Sequence, residues 1–226
     1  MPFTVAALIF LSIYVVFASL YVIFTAHYVI KIRYLTKPFL MVFLILAVLF
    51  TTYEYTILIA GLIFDLIGDI MLLNRKSNKV FVLGGLCFFV GHILYNVQLI
   101  VLLATKTNYF DYPLGYVLTA VEFVVFLVLT TLLAKYRYRL SGKLMIIVSL
   151  YFAVLFLLTP LAINLVIQSS LWSLFILFGV ILFAISDVII FVSKFKRPHL
   201  KYRNFLVAIT YALAQLLIVV GMILIL

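Results

Sequence analysis

Eight apolar runs follow one another along the chain, separated by short polar stretches. Their approximate limits are Phe3–Val29, Pro38–Tyr53, Tyr55–Asn74, Val80–Thr105, Pro113–Ala134, Lys143–Val166, Ser170–Ser193 and Asn204–Leu226. A helix that crosses a bilayer needs about 17–25 mostly apolar residues. The second run is short, and its junction with the third at Glu54 is the least defined. One bent span there would reduce eight helices to seven.

Charge decides between the two counts. Lys31, Arg33 and Lys37 follow the first run; Arg75, Lys76 and Lys79 follow the third. Lys135, Arg137, Arg139 and Lys143 follow the fifth; Lys194, Lys196, Arg197, Lys201 and Arg203 follow the seventh. These are 15 of the 16 basic residues. The other side holds only Lys106, with Glu54 and Asp111. Eight helices put every basic loop on one side, as the positive-inside rule demands. The expectation is therefore an all-α polytopic membrane protein, a bundle of eight transmembrane helices forming a single domain over residues 1–226. Both termini lie outside and the basic loops lie in the cytoplasm; in a bacterium this means the plasma (inner) membrane. The first run has no basic segment before it and no small-residue cleavage site, and reads as a retained helix.

Composition agrees. Of the 226 residues, 69% are hydrophobic and 10% charged, against about 45–50% and about 25% in soluble domains. The net charge of +10 is concentrated in short loops. No basic block interleaved with aromatics forms a nucleic-acid surface, so nucleic acid is not expected as a partner. Cys87 has no second cysteine to pair with.

Against this background three aspartates stand out. Asp65 and Asp69 interrupt LIAGLIFDLIGDIMLL, and Asp187 interrupts GVILFAISDVIIF. A carboxylate near mid-bilayer costs roughly 2.5–3.5 kcal/mol even on mild insertion scales, and such residues ordinarily face the bundle interior and do chemistry. Asp69 is about 8 Å above the end of its helix and Asp65 about 6 Å higher, at 1.5 Å per residue; Asp187 reaches similar depth. Asp65 and Asp69 share a helix face. Two carboxylates that close do not both ionise easily, which sets an acid beside a base. Other polar residues reach comparable depth: Lys37, His92, Tyr95, Asn96, Gln98, Glu122, Ser186, Tyr211 and Gln215. Plainer roles compete for each. Lys37 also fits a snorkelling interfacial lysine. His92, Tyr95, Tyr211 and Gln215 also fit interhelical hydrogen bonds. The aspartates also fit simple pairing with lysines. Gly61 precedes Asp69 by the same eight residues that separate Gly179 from Asp187. A four-plus-four parallel duplication would explain it.

No nucleotide loop, nucleophile elbow or zinc-protease helix is present. His27, His92 and His199 fall at different depths, against a three-histidine zinc site; mixed Asp–His ligation stays open.

The runs GLIFDLIGDIMLL, FVLGGLCFFVGHILYNVQ, GVILFAISDVIIF and ITYALAQLLIV, with Lys37-Pro38 before the second helix, resemble the YhhN family of membrane proteins, the lysoplasmalogenase family. Asp65 departs from the pattern, standing where a small polar residue is as much expected, and ranks behind Asp69 and Asp187. The resemblance implies hydrolysis of the vinyl-ether bond of a lysoplasmalogen, a lysophospholipid, to a fatty aldehyde and glycerophosphocholine or glycerophosphoethanolamine. It implies no cofactor and no metal. Asp69 and Asp187 would act as acid and base, with Asp65 tuning them. Lys37 and Tyr211 would hold the phosphate, and His92, Tyr95, Ser186 and Gln215 would line the substrate site. The rival expectation is a proton-coupled transporter using the same aspartates. No acid-bearing helix is broken by proline, which argues against it. Oligomeric state and head-group preference leave no mark in the sequence.

Overall fold

In lipid no backbone N–H or C=O can turn to water, so an apolar run satisfies itself by coiling into a helix. A computed structural model describes residues 3–27, 30–51, 55–73, 78–109, 113–140, 142–195 and 202–225. Within them lie eight α-helices: α1 (Val5–Ala26), α2 (Ile30–Leu49), α3 (Thr56–Leu73), α4 (Asn78–Lys106), α5 (Pro113–Leu132), α6 (Gly142–Gln168), α7 (Ser173–Phe195) and α8 (Arg203–Leu224). A single π turn, Leu133–Arg137, ends α5. Glu54, Asn74, Arg75, Lys76, Asp111, Lys196, Arg197, His199 and Lys201 lie outside the described residues.

The count of eight holds, and seven of the helices are long and apolar enough to cross a membrane. The exception is α2, whose apolar part is only Tyr34–Leu49. Its contacts nevertheless take it through the bundle. Tyr34 Oη donates to the Leu73 carbonyl at the end of α3 at 2.7 Å. At the other end, Thr4 Oγ1 donates to the Phe50 carbonyl at 2.6 Å while capping α1 by accepting from Ala7 N. Tyr55 Oη in turn donates to the Met222 carbonyl near the end of α8 at 2.5 Å. The ends of α1, α3, α5 and α7 therefore gather with the starts of their successors, forming one basic end.

One boundary differs from expectation. The second apolar run was expected to start at Pro38, with Lys37 at its entry. The helix instead starts at Ile30, and Pro38 lies inside it. Proline removes only one backbone donor, and neighbouring helices make that tolerable in a membrane. Lys37 is consequently not an entry residue at the interface but part of the helix body.

Neighbours along the chain pack together: α1 on α2, α3 on α4, α5 on α6, α7 on α8. The bundle closes through α2 on α8 and α4 on α6, while α5 packs outside, on α6. Glycines set the tightest approaches. A Cβ at Gly61 would lie 2.7 Å from the Tyr95 ring on α4, and one at Gly179 would lie 2.9 Å from Ile218 N on α8. The two glycines that share a spacing to an aspartate thus both allow close helix contacts, one against a side-chain ring and one against backbone. Asp65, Asp69, His92 and Gln215 have no exposed surface.

Candidate active site

Asp65 and Asp69 point from α3 into the bundle, one turn apart, and each is held by different partners. Tyr95 Oη donates to Asp65 Oδ2 at 2.7 Å, and Gln215 Nε2 donates to the same oxygen at 2.6 Å. The other oxygen, Oδ1, lies where a Cβ on Gly91 would be only 2.4 Å away. Only glycine leaves room there. Asp69 Oδ1 is 2.6 Å from Lys37 Nζ, and Tyr211 Oη donates to Oδ2 at 2.8 Å. The Lys37 ammonium also stands 5.2 Å from the centre of the Tyr211 ring, a cation–π distance. A lysine and a carboxylate buried together are tolerable only when paired and bonded, and these are.

Asp187 is the third acid, on α7. Tyr151 Oη, from α6, donates to its Oδ2. His92 Nε2, from α4, lies 3.2 Å from that oxygen and 3.3 Å from Tyr151 Oη. Asp187 and Tyr151 sit on the wall of a cavity of about 290 Å³ between α4, α6 and α7. The rest of the wall is apolar, built mainly by Phe81, Phe88 and Phe89 of α4, Leu144 and Val148 of α6, and Phe191 of α7. Val82, Leu86, Leu144 and Ile147 also line it and are 41–45% exposed, so the cavity opens sideways between α4 and α6. It lies in the half of the bundle nearer the basic end.

The two clusters follow one plan. Asp69 of α3 is held by the preceding helix (Lys37, α2) and by α8 (Tyr211). Asp187 of α7 is held by the preceding helix (Tyr151, α6) and by α4 (His92). Phe183 lies between them, its ring edge-on to His92 at 4.8 Å and to Tyr211 at 5.6 Å.

A model of the YhhN family matches residues 32–222. The chain belongs to the YhhN family. No curated protein and no solved structure matches it. The matched stretch runs from the first turn of α2 almost to the end of α8 and includes every group just described.

In this YhhN protein most of the residues singled out from sequence enter bonded groups; Glu122, Gln98 and Ser186 do not. Lys37, Asp69 and Tyr211 form one cluster, His92 and Asp187 belong to the other, and Asp65 with Tyr95 and Gln215 forms a third bonded group. Ser186 is buried next to Asp187 in the chain, but its hydroxyl makes no hydrogen bond and it does not line the cavity. Asp65 and Asp69 share a face as expected, yet no hydrogen bond joins them. Neither lines the cavity, so the three acids do not converge on one space.

Tyr151 was missed. It is one of 15 tyrosines, in an apolar helix with no acid, and nothing local marks it. Asn96 was noted only as a polar residue. Its Nδ2 donates to the His92 carbonyl at 2.8 Å and to the Val154 carbonyl on α6 at 2.9 Å. It thus ties the two helices that flank the cavity beside His92.

Proposed function

We propose that this YhhN-family membrane protein is a lipid hydrolase that cleaves the vinyl ether of lysoplasmalogens with Asp187 as its acid. The observation that carries the reading is the placing of Asp187. Its carboxyl group, held by Tyr151 and His92, stands with the Tyr151 hydroxyl as the polar element in an otherwise apolar, laterally open cavity. Family membership supports the same reaction class.

A vinyl ether, R–CH=CH–O–R′, breaks when a proton reaches the carbon farther from oxygen. The double-bond electrons form the new C–H bond, and positive charge spreads over the other carbon and the oxygen. The Asp187 carboxylate left behind faces that cation and stabilises it in a site with little water. Water then adds to the cationic carbon and gives its proton to the carboxylate, which is acid again. The hemiacetal collapses: its C–O bond to glycerol breaks, the glycerol oxygen takes a proton, and a fatty aldehyde leaves. One water is consumed and no electron is transferred. The apolar wall suits a single acyl-like chain, which enters sideways from the bilayer. The sequence paired Asp69 with Asp187 as equals. The geometry favours a different division: Asp187 works at the cavity, and Asp69, neutralised by Lys37, holds Tyr211 and, through Phe183, the ring of His92.

Purified protein in detergent, given a lysoplasmalogen, should release aldehyde and the glycerophospho-alcohol in equal amounts. Absence of aldehyde, together with solute uptake into proteoliposomes under a pH gradient, would favour the transporter instead.

A further inference from the structure

Three lysines lie beyond the end of the cavity that is nearer the basic end of the bundle. Lys79 is in the first turn of α4, Lys143 in the first turn of α6, and Lys194 in the last turn of α7. All three are exposed. Each is aligned with the cavity wall of its own helix. Lys194 is seven residues from Asp187, which brings the two onto nearly the same stripe of α7. Lys79 is seven residues before Leu86 and three before Val82, both of which line the cavity. Lys143 adjoins Leu144, and Leu144 is seven residues before Tyr151. Lys194 Nζ also stands 4.7 Å from the ring centre of Phe81, itself part of the wall. Three lysines from three helices therefore lie beyond the same end of the cavity, each on or beside a helix stripe that lines it, while a carboxyl group lies deeper in its wall.

Distance makes this selective. Along α7, Lys194 is about 10 Å beyond Asp187, and along α6, Lys143 is about 12 Å beyond Tyr151. In a 1-alkenyl-glycerophospholipid, seven bonds separate the carbon that takes the proton from phosphorus. An extended chain advances about 1.2 Å per bond, so the span is about 8 Å, leaving room for the contact distances at either end. Lys37, the phosphate ligand that the family resemblance implied, is 2.6 Å from Asp69 Oδ1 and does not line this cavity.

We propose that Lys79, Lys143 and Lys194 form the seat for the phosphate of a single-chain amphiphile whose reactive group lies at Asp187. The choice of a lipid rests on the hydrolase reading above; the anion seat itself rests on the lysines and the cavity. A free phosphate offers the same charge, but it would leave the apolar wall unused.

Binding tests the seat without turnover. The probe is a non-cleavable 1-alkyl-glycerophosphocholine, titrated onto full-length protein in neutral detergent, with the uncharged 1-alkyl-glycerol as its control. In the variant Lys79→Gln, Lys143→Gln, Lys194→Gln, the phospholipid should bind at least 10-fold more weakly and the neutral ether equally well. The corresponding Lys→Arg variant should bind like the parent. Lys106→Gln, which removes charge at the far end of α4 from Lys79, should change nothing. Inorganic phosphate should displace the probe only at concentrations far above those at which the probe saturates. Equal weakening of both ethers, no weakening of either, or displacement by phosphate as readily as by the phospholipid overturns the proposal. If the phospholipid binds as described but its alkenyl analogue releases no aldehyde, the seat stands and the hydrolase reading fails.

Discussion

Asp187, unlike the other two aspartates, lines the cavity between α4, α6 and α7. Asp187→Asn keeps size and hydrogen-bond capacity and removes the acid. Aldehyde release should fall at least 10²-fold, about 2.7 kcal/mol of transition-state stabilisation. Tyr151→Phe removes one donor to the same oxygen and should cost about 10-fold, with the loss mainly in kcat. If Tyr151→Phe is fully active, its bond to Asp187 has no part in the chemistry. Lys37 and Asp69 test a different matter. Lys37→Met leaves a buried carboxylate without its cation, which ordinarily costs about 3–5 kcal/mol. Adding Asp69→Asn, which still accepts from Tyr211, should recover most of that stability in detergent melts. Additive losses in the double variant would show that the pair is not coupled. Much of this scale was legible from sequence, because an acid in an apolar run is conspicuous whatever surrounds it. Tyr151 was not, because a tyrosine in such a run is ordinary until its hydroxyl is seen to meet an acid.

Helices meet here through glycine, and the positions are specific. At Gly179 a Cβ would meet backbone atoms of α8, Ile218 N at 2.9 Å and the Ala214 carbonyl at 3.0 Å. Backbone cannot swing aside, so Gly179→Ala should push α7 from α8 and cost about 1–3 kcal/mol. At Gly85, on the cavity wall, a Cβ would meet nothing within 4 Å, and Gly85→Ala should melt like the parent. A thermal series in one detergent compares the two; equal melting temperatures would remove the packing argument. The helices themselves were readable from apolar length. Their ends were less so: α2 begins at Ile30 instead of Pro38, because proline signals a start only where a helix has freedom to start elsewhere.

Across the whole molecule, both clusters lie within the bundle's interior, and the cavity belongs to the half nearer the basic end. If basic loops face the cytoplasm, lipid enters the site from the inner leaflet. A Cys87→Ser background with a single new cysteine at Lys135 or Asn108 tests this. Membrane-impermeant reagent applied to whole cells should label Asn108→Cys and spare Lys135→Cys; the reverse pattern inverts the topology. The sequence alone determined that the chain crosses a membrane many times, how the loops sort by charge, and which acids lie at depth. Those properties follow from the cost of charge and unpaired backbone in lipid, which each segment meets independently of the others. Which acid faces an open space, and which is neutralised, was decided only by tertiary structure. That distinction depends on what the opposing helices bring, lysine to Asp69 and tyrosine with histidine to Asp187, and no single segment carries it.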